Sequence, residues 1–212
     1  MLAPEGKSII AGAVVATTAF GLGGWAGEIL VLKLLAVICL LFLVFCLIFF
    51  RDPDRITPPG ENLILSPADG KVVFVGDETG SEGEAKQVSI FLSIFNVHAN
   101  RVPVSGVVKK ASYSKGKFLA AFKEEASKAN EQTEIHIASG ESLIKVKQIA
   151  GIVARRIICY LKEGDEVLRG DRLGYIRFGS RTEIVVPSDT RIRVSVGEKV
   201  TGGQTIIGEL LG

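Results

Sequence analysis

Two histidines occur among 212 residues, and they stand in different company. His98 closes a long apolar segment in Phe95-Asn96-Val97-His98-Ala99-Asn100-Arg101-Val102-Pro103, where polar groups gather as a strand gives way to a turn. Histidine is the side chain best suited to moving a proton under physiological conditions, yet one placed there is as readily a packed structural group. His136 alternates with apolar residues in Glu134-Ile135-His136-Ile137, the pattern of a side chain on a strand surface. Asp69 lies in Ser66-Pro67-Ala68-Asp69-Gly70, and taken alone that sequence reads as a turn. No Gly-x-Ser-x-Gly elbow is present to expose a serine nucleophile. The Gly-Ser pairs are Gly80-Ser81, in an acidic loop, and Gly179-Ser180, between the strand-like runs Gly174–Phe178 and Arg181–Pro187. Cys39, Cys46 and Cys159 offer neither metal-ligand spacing nor a disulfide framework.

The elements that must hold these groups are of two kinds. A mean hydropathy of +0.35 is high for a chain with 23% charged residues, and the apolar excess is concentrated at one end. Ile9–Ala26 carries no charge, and the 17 residues Leu34–Phe50 are all apolar or Cys. Both runs suit membrane-crossing helices, about 9–27 and 33–50, with the glycine-rich stretch Gly21–Gly27 as the bend of a hairpin. A signal peptide would have a shorter apolar region, followed by a small-residue cleavage site and not by a second uncharged run. Lys7 at one end and Arg51 and Arg55 at the other favour a hairpin whose two ends, and hence residues 51–212, face the cytoplasm. Glu5, Lys7, Glu28 and Lys33 are the charges of the first fifty residues, which leaves 23 basic and 21 acidic residues in the remainder. A net charge of +2 argues against nucleic acid as a partner.

Residues 51–212 read as β-rich. Alternation and glycine punctuation predict strands over 71–76, 87–94, 106–112, 133–138, 143–149, 151–161, 172–178, 183–186, 191–196 and 205–210, with Phe118–Asn130 the one segment of helical composition, equally readable as a mobile loop. The unit Gly-acid-x-Val-x-x-Gly occurs at Gly164–Gly170 and again, 33 residues on, at Gly197–Gly203. Glycines at both ends of such a unit suit turns with positive φ, with the valine between them pointing inward. Pro-x-x-Gly-x-Val recurs at Pro67–Val72 and Pro103–Val108. These hairpins resemble the barrel-sandwich hybrid fold of lipoyl and biotinyl carrier domains. No Lys-Met pair marks a carrier attachment site, so the expectation is a mainly β, barrel-sandwich-like scaffold behind a transmembrane helical hairpin.

Five motifs then occur in order: Phe49-Phe50-Arg51-Asp52-Pro53, Ser66–Val72, Asn96–Pro103, Gln148–Ile157 and Arg177-Phe178-Gly179-Ser180-Arg181. With them the chain resembles the short form of phosphatidylserine decarboxylase, from its second apolar run to its end. The resemblance implies a proenzyme that cuts itself at Gly179–Ser180 into a β chain, 1–179, and an α chain, 180–212, which remain together as a heterodimer. Ser180 would become a pyruvoyl group, the covalent cofactor, with no metal and no pyridoxal phosphate. Its ketone would form a Schiff base with the serine amine of membrane phosphatidylserine and accept the electron pair left by CO2, giving phosphatidylethanolamine. Gly179 would remove Cβ crowding and permit the strained backbone that brings the Ser180 hydroxyl onto the Gly179 carbonyl carbon. His98 would be the general base for Ser180, and Asp69 would hold its imidazolium. Longer relatives carry a second histidine three residues after the first, where this chain has Arg101; His98 would then serve both self-cleavage and protonation, or one step would rely on water. Arg101, and beyond it Arg155, Arg156 or Arg181, would be candidates for the lipid phosphate. Archaetidylserine decarboxylase and a non-enzymatic membrane-tethered adaptor are the alternatives, and homo-oligomerisation stays open.

Overall fold

The computed structural model describes residues 1–78, 85–121, 125–152, 156–177 and 179–211, which fall into two units, Met1–Asp54 and Arg55–Gly212. In the first, helices α1 (Lys7–Ala26) and α2 (Leu30–Phe49) are 20 residues each and long and apolar enough to cross a membrane. The reversal between them is tighter than the glycine-rich stretch suggested. Gly21, Gly23 and Gly24 are helical, and the turn is confined to 27–29, with Glu28 at φ 52°. Gly24 serves the close approach of the two helices, because a Cβ there would lie 2.8 Å from the Lys33 nitrogen. At the other end the Ala3 N–H donates to Phe50 O (2.7 Å) and the Asp52 N–H to Met1 O (2.8 Å), so both ends of the hairpin lie together. Val15, Leu22, Trp25, Leu34 and Leu41 are among the exposed apolar side chains of this unit, a surface suited to lipid.

The second unit is mainly β. Its strands are β1 (Leu63–Leu65), β2 (Gly70–Asp77), β3 (Ala85–Leu92), β4 (Ala99–Arg101), β5 (Gly106–Ser114), β6 (Gln132–Ser139), β7 (Ser142–Ile149), β8 (Ile157–Cys159), β9 (Glu166–Val167), β10 (Arg172–Ile176), β11 (Ser180–Pro187), β12 (Arg191–Ile192), β13 (Lys199–Val200) and β14 (Ile206–Glu209). They form a large antiparallel sheet, β13-β2-β3-β11-β7-β6-β5-β9, and two small ones, β1-β14-β12 and β4-β10-β8. Val72, Val88, Ile90, Val108, Ile135, Val146, Ile184 and Ile207 belong to one core cluster drawn from both kinds of sheet.

The sequence repeat is the key to this topology. Gly164 and Gly197 have φ 91° and 97°, Gly170 and Gly203 have 92° and 73°, and Val167 and Val200 between them are buried in the core. The first copy pairs with β5, with Val167 opposite Gly106, and the second pairs with β2, with Val200 opposite Gly70. The Pro-x-x-Gly-x-Val pattern thus supplies the strand on which each repeat closes. From its centre, between β11 and β7, the large sheet reads outward alike in both directions. One half is β4–β10; the other, β1–β3 with β11–β14, is interrupted by it. In the continuous half β6 and β7 are joined by the two residues Gly140 and Glu141, with Ser139 opposite Ser142. In the interrupted half the matching hairpin, β3 with β11, ends at Leu92 opposite Ser180, and residues 93–179 intervene.

Several expected elements differ. The strand over 151–161 is reduced to Ile157–Cys159, and residues 153–155 lie outside the described residues. The helix over 118–130 is one turn, α3 (Ala126–Ala129), with 122–124 outside the description. Here Asn130 closes the chain on itself, its side chain bonding the Leu119 backbone (2.8 Å) and Ala150 O (2.7 Å), contacts a continuous helix could not make. The run over 191–196 is a strand only over Arg191–Ile192, with the Arg193 N–H still donating to Ile207 O (2.8 Å).

Candidate active site

The interrupted hairpin is where the chemistry gathers. Where β3 ends, Ser93 caps a turn: its N–H and hydroxyl both donate to Asn96 Oδ1, at 2.9 and 2.7 Å. The turn aims the Asn96 carbonyl oxygen at His98, whose Nδ1 lies 2.9 Å from it. A carbonyl can only accept, so Nδ1 carries the proton and Nε2 presents a lone pair. That nitrogen accepts the Gly179 N–H at 3.3 Å. His98 itself is wholly buried, and its carbonyl accepts the Ile176 N–H at 3.2 Å.

Ser180 begins β11 at the centre of the large sheet, fully buried, and its Oγ has no hydrogen-bond partner in the protein. Gly179 before it has φ 55°, the left-handed region that favours glycine, but a Cβ there would meet nothing within 4 Å. Of the two reasons expected for this glycine, the backbone angle is therefore the one that distinguishes it, and crowding is not. Crowding belongs to Gly151, which the sequence reading passed over: a Cβ on it would lie 2.2 Å from the Gly179 carbonyl oxygen.

The remaining expected site residues are placed as follows. The Asp69 carboxylate is held by Arg55 Nη2 at 3.0 and 2.9 Å and accepts the Gly202 N–H at 2.8 Å, and none of these bonds reaches His98. Arg55 also donates to Gln204 Oε1 (3.2 Å), so the pair clips the start of this unit to the second glycine repeat. Arg101 is half-buried, and its N–H donates to Pro67 O (2.9 Å), which ties β4 to the turn carrying Asp69. Arg181 points to the opposite face of β11 from Ser180. Its Nη2 donates to Ser89 Oγ (2.9 Å), and its Nε lies 2.9 Å from Glu183 Oε1 without hydrogen-bond alignment, so its charge is already met by a buried carboxylate. Arg156 is exposed, and Arg155 lies outside the described residues. His136 sits on the strand surface with Nε2 2.6 Å from Glu134 Oε1. Burial raises the Glu134 carboxyl, but the His136 hydrogen bond and the charges of Lys147, His136 and Lys110 outweigh it and hold the group below the usual carboxylate value. Among the described residues no three His, Cys, Asp or Glu side chains converge as metal ligands.

A β domain that follows two helices apolar enough to enter a membrane, with a buried serine after a glycine whose N–H rests on a lone-pair nitrogen, has the features of a membrane-associated enzyme. The family model described as phosphatidylserine decarboxylase matches residues 42–208. A phosphatidylserine decarboxylase proenzyme of Geobacter sp. (strain M21) is 44% identical over 99% of this chain and 96% of its own length. Proteins of the same name from Syntrophus aciditrophicus and Wolbachia pipientis wMel are 48% and 49% identical, each over 82% of this chain and over 84% and 79% of their own. The chain belongs to the phosphatidylserine decarboxylase family, a family of carboxy-lyases.

Proposed function

We propose that the chain matures by cutting itself at Gly179–Ser180 and that the cut protein converts phosphatidylserine to phosphatidylethanolamine and CO2. The observation that carries this reading is the buried, unpartnered Ser180 hydroxyl behind a left-handed glycine whose N–H rests on the His98 lone pair. A buried hydroxyl without a partner is costly in a finished fold and is explained where it is a reactant. His98 Nε2 takes the hydroxyl proton as Ser180 Oγ attacks the Gly179 carbonyl carbon. The C–N bond breaks, the proton goes to the Ser180 nitrogen, and an ester joins the two residues. Loss of the Ser180 α-proton and of the C–O bond then releases Gly179 as a carboxylate. Water hydrolyses the remaining dehydroalanine to a ketone and ammonia; one water is consumed overall.

These residues fit a pyruvoyl group made from Ser180. When formed, that group supplies the electrophile for the headgroup amine and the electron sink for the departing carboxylate. His98, fixed through Asn96, then holds the proton the product carbon needs. Asp69 acts as a positioning residue through Arg55 and the Pro67 turn, and Arg101, on the same short strand as Asn100, is the candidate partner for the lipid phosphate. The two apolar helices hold the enzyme in the membrane that contains its substrate. With Lys7 and Arg51 at the joined ends of the hairpin, those ends face the cytoplasm.

A denaturing gel with intact mass tests the reading. The wild type is expected as two chains, 1–179 and 180–212; Ser180→Ala as one uncut 22.7 kDa species; and His98→Ala as slow or uncut. A wild-type chain that decarboxylates the lipid while remaining whole would refute it.

A further inference from the structure

The core face of the large sheet changes character at one end. Ile184 of β11 lies between Val88 of β3 and Val146 of β7, an apolar row. Two residues nearer the Gly179–Ser180 junction, Thr182 lies between Ile90 and Gln148. Asn100 arrives from the neighbouring small sheet, and its Oδ1 accepts from Gln148 Nε2 at 2.8 Å. The chain leaves space for that bond at Gly174, opposite Asn100, where a Cβ would lie 2.7 Å from Gln148 Nε2. Ser180, Thr182, Asn100 and Gln148 are all completely buried. Even so, Thr182 Oγ1, Asn100 Nδ2 and Gln148 Oε1, like Ser180 Oγ, have no partner in the protein.

The catalytic chemistry above uses only the serine. The other three atoms sit on the same face, and a fold keeps buried orphans where something else meets them. What they offer is definite. Whichever way the two amides are turned, one NH2 and one carbonyl oxygen remain free, and the Thr182 hydroxyl both donates and accepts. The set is uncharged. A carboxylate held by this set meets neutral dipoles, so these groups do not stabilise its ground state by a charge that departure of CO2 would strand.

We infer that Asn100, Gln148 and Thr182 form the subsite for the amino-acid part of the lipid headgroup, the free amide NH2 donating to its carboxylate and the free amide oxygen accepting from its amine. This rests on the decarboxylase reading. In that reading, cutting at Gly179–Ser180 frees Gly179 from residue 180 and is the step that gives the headgroup access to these groups.

The test uses cut, full-length enzyme in detergent micelles: wild type, Thr182→Val, and the double variant Asn100→Leu with Gln148→Met. Cutting, Tm, KM and kcat for phosphatidylserine are measured, with inhibition by glycerophosphoserine and by glycerophosphoethanolamine. The double variant removes both members of one hydrogen bond at similar volume, so Tm and cutting are expected to hold. KM for the lipid and the inhibition constant of glycerophosphoserine should rise about 10- to 100-fold in the double variant and about 3- to 10-fold in Thr182→Val. Inhibition by glycerophosphoethanolamine, which lacks the carboxylate, should change least. Cut, folded variants with unchanged KM and inhibition would overturn the assignment, and so would variants that keep their Tm but no longer cut, since the groups would then serve maturation. If the double variant does not fold, the isosteric Thr182→Val decides by the same constants. A wild type that stays whole and inactive refutes the decarboxylase reading and this subsite together; an active wild type with unaffected variants refutes the subsite alone.

Discussion

Gly151→Ala drives a methyl group into the carbonyl that Ser180 is proposed to attack. The added Cβ would lie 2.2 Å from the Gly179 oxygen and 3.3 Å from both the Gly179 carbon and Ala121 Cβ. Close carbon–oxygen contacts in proteins stand at about 3.3–3.6 Å, so roughly 1 Å must be absorbed. The clash is with a backbone carbonyl, which has no rotamer to give, and Ala121 Cβ crowds the same methyl, so the peptide carrying the electrophilic carbon has to move. A misplacement of about 1 Å between reacting groups costs on the order of 100-fold in rate, and self-cleavage should slow by that factor while Ser180 and His98 are untouched. Cell-free synthesis in the presence of lipid vesicles, followed by a time course on a denaturing gel, reads the fraction of chain cut. Thermal unfolding of the uncut product checks that the domain has formed. A folded Gly151→Ala chain that cuts within about threefold of the wild-type rate would refute the reasoning, because the carbonyl position would then be free to vary without cost.

Gly179→Ala should be milder than Gly151→Ala, since it meets open space and bears only the left-handed backbone penalty of about 1–2 kcal/mol; the same time course compares them. Asp69→Asn should lower stability by about 1.5–3 kcal/mol, roughly 3–12 °C in Tm, and Arg55→Met should reproduce the loss. Should Asp69→Asn instead keep its Tm and stop cutting while Arg55→Met cuts normally, Asp69 acts on the proton path and not as an anchor. Glu134 binds fewer protons folded than unfolded at acid pH, because its folded pKa lies below the ordinary 4.5. The stability it adds is present above that ordinary value and is lost as pH falls through the folded one. Glu134→Gln should therefore flatten the decline of Tm below about pH 4.5, and identical acid profiles would contradict the assignment.

The parts of this protein legible in its sequence are those written in local pattern. Two uncharged runs can bury their backbone polar groups in lipid only as helices, and the helices α1 and α2 follow them. The paired glycines at 164 and 170, and at 197 and 203, announce turns because few other residues adopt their backbone angles. Strands two or three residues long, such as Glu166–Val167 and Ala99–Arg101, show no period and were missed; they exist because a neighbour's register holds them. The glycine-serine pair and His98 drew attention by type and context, but only the family resemblance gave them roles.

That His98 and Gly179 touch, 81 residues apart, was decided by topology: one half of a symmetric sheet is inserted into a hairpin of the other, and the two crossings lie side by side. Tertiary structure likewise gave Asp69 to Arg55, set Gly151 against the scissile carbonyl, and brought Gln148 to Asn100. A side chain's type and period state which face it shows and what it can donate or accept. Its partner depends on strand order and register, which are properties of the whole sheet and leave no mark at the single residue.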